Sequence, residues 1–188
     1  MSPKKRVLPI LLFTGFFMLC SEGAWAALPA YMAIEGAGQG TIEGSCTIDD
    51  ERRNTIVVYS FGHNVRVPSD PQSGQPTGQR IHGPLKILKE FDKSSPKLYQ
   101  ALFTGEHLVT VEIKFYRMAQ TGQEVHYFTI RLEDAIIVSI TPSFPTSLLG
   151  EYEAYKHMET VAFTYKKIRW TWVPDGIESE DSWDMPKE

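Results

Sequence analysis

From His107 to Arg117 the side chains alternate without a break: Val109, Val111, Ile113 and Phe115 share one parity, and Thr110, Glu112, Lys114 and Tyr116 the other. Only an extended backbone sends successive residues to opposite faces, so this segment is a strand with one face on a core. Val125 to Ile140 repeats the pattern at greater length. Its even positions carry Phe128, Ile130, Leu132, Ile136, Val138 and Ile140, its odd ones Tyr127, Thr129, Arg131 and Glu133, and a bend is expected near Asp134. Ala119 to Gln123, containing Gly122, is the turn between the two. A chain with two such strands in succession must build an antiparallel sheet and then cover it.

The remaining segments fit that demand. Ala30–Ile34, Ile42–Ile48, Thr55–Val67, Arg80–Phe91 and Tyr155–Val173 read as extended, with Val57, Tyr59, Phe61, Val65 and Val67 on one parity. Gly62 marks a bulge or close strand contact, and Pro84 an edge or irregular start. In the last segment the apolar parity shifts between Tyr165 and Ile168, a sign of a bulge or of two covered faces. Pro174–Glu188 is an acidic tail with a short strand or hook near Trp183. Pro68–Gln79, with Pro68, Pro71, Gly74, Pro76 and Gly78, reads as a long exposed loop with little room for regular structure, of the kind that carries partner contacts. Thr141–Glu151 is a second loop, with Pro142 and Pro145.

One helix is expected. Ser94 or Ser95 caps it, Pro96 suits its first turn, Lys97–Thr104 forms its body and Gly105 stops it. Leu98, Ala101 and Leu102 give it an apolar stripe that can cover a sheet face or a barrel end. The expected fold is therefore all-β, an antiparallel barrel or sandwich, closed or nearly so, with one short flanking helix. There are no internal repeats, and 188 residues suffice for one domain with a real core.

The first 26 residues are of a different kind. Lys4, Lys5 and Arg6 precede an apolar run from Val7 to Leu19, and Ala24-Trp25-Ala26 offers small residues where a signal peptidase needs them. The run is about 13 residues, short of the roughly 20 that span a bilayer, so residues 1–26 read as a secretory signal peptide cleaved before Ala27. Residues 27–188 then form the single domain, free of the membrane after cleavage, with 16 basic and 22 acidic residues and a net charge of −6. That balance, with no basic stripe, disfavours nucleic acid as a partner. Cys46 is left alone in the domain and reads as a buried thiol.

No motif points to catalysis, a metal or a cofactor. His63, His82, His107, His126 and His157 show no ligand spacing. Glu133-Asp134 and Asp49-Asp50-Glu51 are adjacent acids, whereas a glycosidase needs carboxylates facing across a gap. The glycine-rich Glu35–Gly40 lacks the Lys-Ser/Thr ending and following helix of a phosphate loop.

A series of short blocks resembles the haemolysin-coregulated protein (Hcp) family, the tube subunits of type VI secretion systems. They are Ala30-Tyr31-Met32, Gly40–Ser45, Tyr59–His63, Thr77-Gly78, Phe91–Leu98 with Ala101 and Gly105, Phe115-Tyr116-Arg117, Gly122-Gln123-Glu124, Tyr127-Phe128, Leu132-Glu133, Tyr165, Lys167-Ile168, Trp170 and Asp181-Ser182-Trp183. The resemblance implies an Hcp-type β-barrel assembled as a homo-hexamer. Rings stack into a tube inside a contractile sheath and beneath a spike protein, and some hold small effector proteins. Function would be mechanical, without catalytic residue or cofactor. Pro68–Gln79 resembles the family's protruding loop, which makes Val67, Pro68, Thr77 and Gly78 candidates for ring stacking or subunit contact. Ser94, Ser95 and Pro96 would fix the helix start, and Trp170 and Trp172 pack either the barrel or an interface. The leader departs from the pattern, since tube subunits are loaded from the cytoplasm. It opens an alternative to a secreted tube: an exported ring or binding module in the periplasm, where Cys46 could bridge two chains.

Overall fold

The computed structural model describes residues 28–144 and 156–182. The expected leader, Pro145 and most of the second loop, and Trp183 lie outside the described residues. The order is β1 (Ala30–Gly36), β2 (Gly40–Ile42), β3 (Ile56–Val58), β4 (Ser60–Gly62), β5 (Val65–Arg66), β6 (Ile81–His82), β7 (Leu85–Glu90), α1 (Ser95–Thr104), β8 (Leu108–Met118), β9 (Glu124–Ser143), β10 (Met158–Trp172) and β11 (Ile177–Ser182).

All the pairings are antiparallel and the main path runs β2-β1-β8-β9-β10-β7-β4, with β11 folding back on β10. The ladder itself is not closed, but 56–62 bridges its two sides. β3 pairs with β1 at Ala30–Met32, and β4, one residue further on, pairs with β7 at Ile87. Tyr59 between them donates its N–H to Leu88 O at 2.8 Å, so this strand changes partner rather than ending. Inside lie Met32, Ile34, Ile42, Ile56, Leu85, Ile87, Val111, Ile113, Leu132, Val161, Phe163 and Ile168, all at most 2% exposed. α1 plugs this core with Leu98 and Ala101. Gly105, at φ 64°, ends the helix, where the N–H of Glu106 reaches back to Ala101 O at 2.9 Å.

The strand from Ile42 to Ile48 stops at Ile42. Beyond it the chain crosses Asn54-Thr55 so closely that a Cβ on Gly44 would lie 2.3 Å from Thr55 O. This segment covers the outer face of β1 and β8, where Tyr31, Cys46 and Tyr116 form a second small core. Arg52 lies over both tyrosine rings, at 5.1 and 4.8 Å, and is held by Asp50 and Glu124. Thr55–Val67 is likewise divided, into β3, β4 and β5.

Two expected core residues point outward. Val109 is 52% exposed because the register between β1 and β8 shifts between Glu35 and Gly36, and Leu108 is the residue buried there. Val138 is 42% exposed because the bend at Asp134 turns the even positions of β9 outward; the register shift between Ala162 and Phe163, opposite Val138, then returns Ile140 toward the core. The bend at Asp134 is a left-handed residue, φ 51°. It reverses the parity of β9, so Ala135 and Ile137 are buried and Ile136 is only half-buried. β10 changes parity at the same rungs, between Tyr165 and Ile168, while keeping its register with β9. A continuous even-numbered core face on β9 is therefore the expectation that fails.

Candidate assembly surfaces

Pro68–Gln79 is an ordered arm rather than a structureless loop. Its stem is the β5–β6 pair, Val65↔His82 and Arg66↔Ile81, and Ser69 bridges to Pro76 further out. Prolines remove N–H groups, but several of the donors that remain are bonded inside the arm. Thr77 N–H reaches Pro68 O at 2.9 Å, Asp70 N–H reaches Gln75 O at 2.8 Å, and Gly74 N–H reaches Asp70 O at 2.8 Å. At the tip, Asp70 Oδ1 accepts from Ser73 N at 2.7 Å, Ser73 Oγ at 2.9 Å and Gln72 N at 3.0 Å. The Ser73 and Gln72 donors hold the Asp70 carboxyl below the usual carboxylate range. Gly74 makes the turn at φ 71°, a conformation a side chain would strain.

Pro68, Thr77 and Gly78 meet at the arm's neck, where a Cβ on Gly78 would sit 3.7 Å from the Pro68 ring. Val67 is 46% exposed beside them, and Val65 and Ile81 are exposed on the stem. An ordered arm with bare valine and isoleucine at its base has unspent apolar surface to bury against another chain.

The arm is fastened to the barrel by a polar relay. Tyr165 on β10 shares its hydroxyl with His63 Nε2 at 2.7 Å and His82 Nδ1 at 2.8 Å, and His82 Nε2 meets Asp181 Oδ2 on β11 at 2.9 Å. Arg80 forks onto the same Asp181 carboxylate and reaches Ser182 O at 2.8 Å. Burial pushes the Tyr165 phenol well up, and the Asp181 charge adds to that. Burial, then the neighbouring His82, holds His63 below its ordinary value. Asp181 is pushed up by burial, but Arg80 and His82 outweigh this and keep its carboxyl low.

At the helix start the expected caps do something else. Ser94 occupies the N-cap position in a helical conformation, without a side-chain cap bond, and Pro96 sits in the first turn. Ser94 Oγ donates to Asp92 Oδ1 at 2.5 Å. Ser95 Oγ accepts from Asp92 N at 3.1 Å and donates to Glu159 Oε1 at 2.7 Å. The serines instead serve a buried ion pair that the motif reading missed. Lys89 and Glu159, cross-strand partners on β7 and β10, are both 0% exposed and 2.8 Å apart. Lys89 also reaches Asp92 at 2.9 Å. A signal was present: Lys89 shares the parity of Leu85 and Ile87, and Glu159 that of Val161 and Phe163.

The glycine-rich tip is occupied by the protein itself. Gly38 and Gln39 both donate their N–H groups to Glu106 Oε1 at 2.8 Å. Trp170 packs against the main core, while Trp172 lies against Tyr127, with Arg117 over its ring.

The family described as "Type VI secretion system effector, Hcp" matches residues 31–172. The Major exported protein of Pseudomonas aeruginosa is 45% identical over 168 residues, covering 85% of this chain and 98% of that protein. The chain belongs to the Hcp family. Solved Hcp structures share its fold. A mutant form of Hcp1 from E. coli EAEC 042 is 36% identical with a TM-score of 0.74, covering 84% of this chain and 99% of the other. The secreted protein Hcp3 from Pseudomonas aeruginosa is 37% identical with a TM-score of 0.68, covering 85% and 100%. The fold is the antiparallel Hcp-type β-barrel with one flanking helix, and the chain is a structural, secreted component of type VI secretion.

Proposed function

We propose that this Hcp chain closes into a homo-hexameric ring and that rings stack through the 65–82 arm into the inner tube, under a spike protein and inside a contractile sheath. The ring is mechanical and not an enzyme, and its lumen is where small effector proteins would ride. The observation that carries this reading is the arm. It is internally hydrogen-bonded from Pro68 to Thr77, it is fastened by the Tyr165–His82–Asp181 relay, and Val65, Val67 and Ile81 are exposed at its base. A closed ring requires a heterologous contact in which one surface of each subunit meets a different surface of the next. Val67, Pro68, Thr77 and Gly78 form the neck that would aim the arm, and Ser94, Ser95 and Pro96 hold α1 on the barrel.

Replacing 69–76 by a two-residue turn tests the reading. The shortened chain should keep its far-ultraviolet circular dichroism and lose rods and stacked rings in electron micrographs. Stacks that persist would remove the arm from that role.

A second reading follows from residues 1–26, which lie before the family match at 31–172. If they act as a signal peptide, the mature chain begins at Ala27 and reaches the periplasm as a ring or binding module. Intact-mass measurement of the chain recovered from its host separates the two: a start at Ala27 supports export by the leader, and a retained leader contradicts it.

A further inference from the structure

The arm is gripped by one histidine from each of its legs. His63 stands just before β5 and His82 lies on β6, and both meet the same hydroxyl, that of Tyr165 on β10, His63 Nε2 at 2.7 Å and His82 Nδ1 at 2.8 Å. Their rings are 6.2 Å apart, and the His82 side chain is only 5% exposed. Among the described residues, the charged groups facing the pair are Asp181 from β11, 2.9 Å from His82 Nε2, and Arg80, on the same leg as His82 and forked onto that carboxylate. The uncharged Trp170 closes the site beside His63, its ring 6.4 Å away.

With each imidazole neutral, these contacts admit one arrangement of protons. Burial pushes the Asp181 carboxyl up, but Arg80 and His82 outweigh it and keep the group ionised, so it only accepts. His82 therefore donates from Nε2, which leaves its Nδ1 bare to take the Tyr165 hydrogen. The Tyr165 oxygen then accepts from His63 Nε2, and every hydrogen in the relay is placed. A hydroxyl serves two imidazoles in this way only while one of them accepts. With both rings imidazolium, His63 Nε2 and His82 Nδ1 both donate, and the Tyr165 hydrogen loses its acceptor. Two like charges then face each other across the legs of one hairpin.

We propose that Tyr165 with His63 and His82 is a pH-sensitive latch: neutral, it fastens both legs of the arm to β10, and acidification opens it by charging both rings, parting the β5–β6 stem while the rest of the barrel stays folded. The surroundings of His63 give the same sense, since burial, then His82, resist its proton, with the Gly83 backbone favouring it. The latched form thus takes up this proton at a lower pH than a released His63 at its ordinary 6.5. An opening that admits one proton at 6.5 becomes about tenfold more favourable between pH 7.5 and 5.5, provided the latched form excludes that proton. The bonds that report it are those of the stem, Gly83 N–H to Asn64 O at 2.8 Å and the pairs Val65↔His82 and Arg66↔Ile81. The latch acts within one chain and does not depend on the ring-and-tube reading.

The test is hydrogen–deuterium exchange read by mass spectrometry on the purified full chain, each rate divided by the intrinsic rate at its pH. Peptides across 63–67 and 80–85 should lose about tenfold in protection between pH 7.5 and 5.5, and peptides across β8 and β9 should keep theirs. His63→Gln, whose amide can still donate to Tyr165 but cannot take the charge, should hold the stem protected at both values. Tyr165→Phe removes the shared hydroxyl and should leave the stem poorly protected at both, so it keeps the test valid if His63→Gln fails to fold. Stem protection that does not change with pH in the unaltered chain would overturn the latch. An equal loss in His63→Gln would overturn the histidine pair as its sensor, and an unaltered response in Tyr165→Phe would overturn the hydroxyl as its pivot. A loss shared by β8 and β9 would show general unfolding instead of a latch. None of these readings requires stacked rings, so a chain that does not assemble still tests the latch.

Discussion

Replacing Lys89 by methionine keeps the length of the side chain and removes its charge. Lys89 and Glu159 are both fully buried, and the ammonium also holds Asp92 at 2.9 Å. Lys89→Met therefore strands the Glu159 carboxyl out of water and takes the cation from Asp92, and breaking a buried pair from one side costs about 3–5 kcal/mol. Glu159→Leu alone leaves the ammonium with Asp92, Ser95 and Glu90 O, and should cost less. The double variant removes the unpaired charge at its worst point. It should be more stable than Lys89→Met by about 1 kcal/mol or more, a coupling typical of residues in direct contact. Urea unfolding at one fixed protomer concentration measures all four proteins, because assembly makes stability concentration-dependent. Strict additivity, or a Lys89→Met cost below about 1 kcal/mol, within the reach of an ordinary surface pair, would show that Lys89 and Glu159 do not act as a buried ion pair.

Gly44→Ala should destabilise by about 1–3 kcal/mol, since its Cβ would meet Thr55 O at 2.3 Å and Ile56 Cα at 2.5 Å. Gly62→Ala, with nothing within 4 Å, should stay within about 0.5 kcal/mol; denaturation midpoints distinguish the two. His63 in the folded chain lies below its ordinary 6.5, so the unfolded chain takes up the proton first. Its contribution is complete above pH 6.5 and is lost as the pH falls through that value toward the lower folded one. The stability lost between pH 7.5 and 5.5 should accordingly be smaller in His63→Gln, and an unchanged loss would show that His63 does not sense the pH. Cys46, 5% exposed and free, should resist Ellman's reagent until the protein unfolds; prompt reaction of the native chain would contradict its burial.

The sequence shows the parts of this fold whose cause is local. The apolar parity of β8 holds from Val111 to Ile113, and α1 ends where Gly105 can turn left-handed. What it does not show depends on a partner strand. Val109 looks like a core residue until β1 shifts register beside it, and Val138 until the bend at Asp134 reverses the parity of its strand. Asp134 marks the bend, but the parity reversal that buries Ala135 requires its positive φ. The arm reads as a loop because its prolines hide a ladder built from the few remaining donors. Lys89 and Glu159 were legible in strand parity, although lysine and glutamate ordinarily face water. The relay under the arm was not legible, because His63, His82, Tyr165 and Asp181 come from four places in the chain and meet only in the folded barrel.

Ring formation is the claim on which the proposed function rests. Size-exclusion chromatography with light scattering on residues 27–188 measures it directly. The expected mass is near six chains, about 110 kDa at roughly 110 Da per residue, because a closed heterologous ring has a definite number of subunits. A stable monomer at micromolar concentration would contradict it, leaving an Hcp barrel that has kept its fold without its assembly.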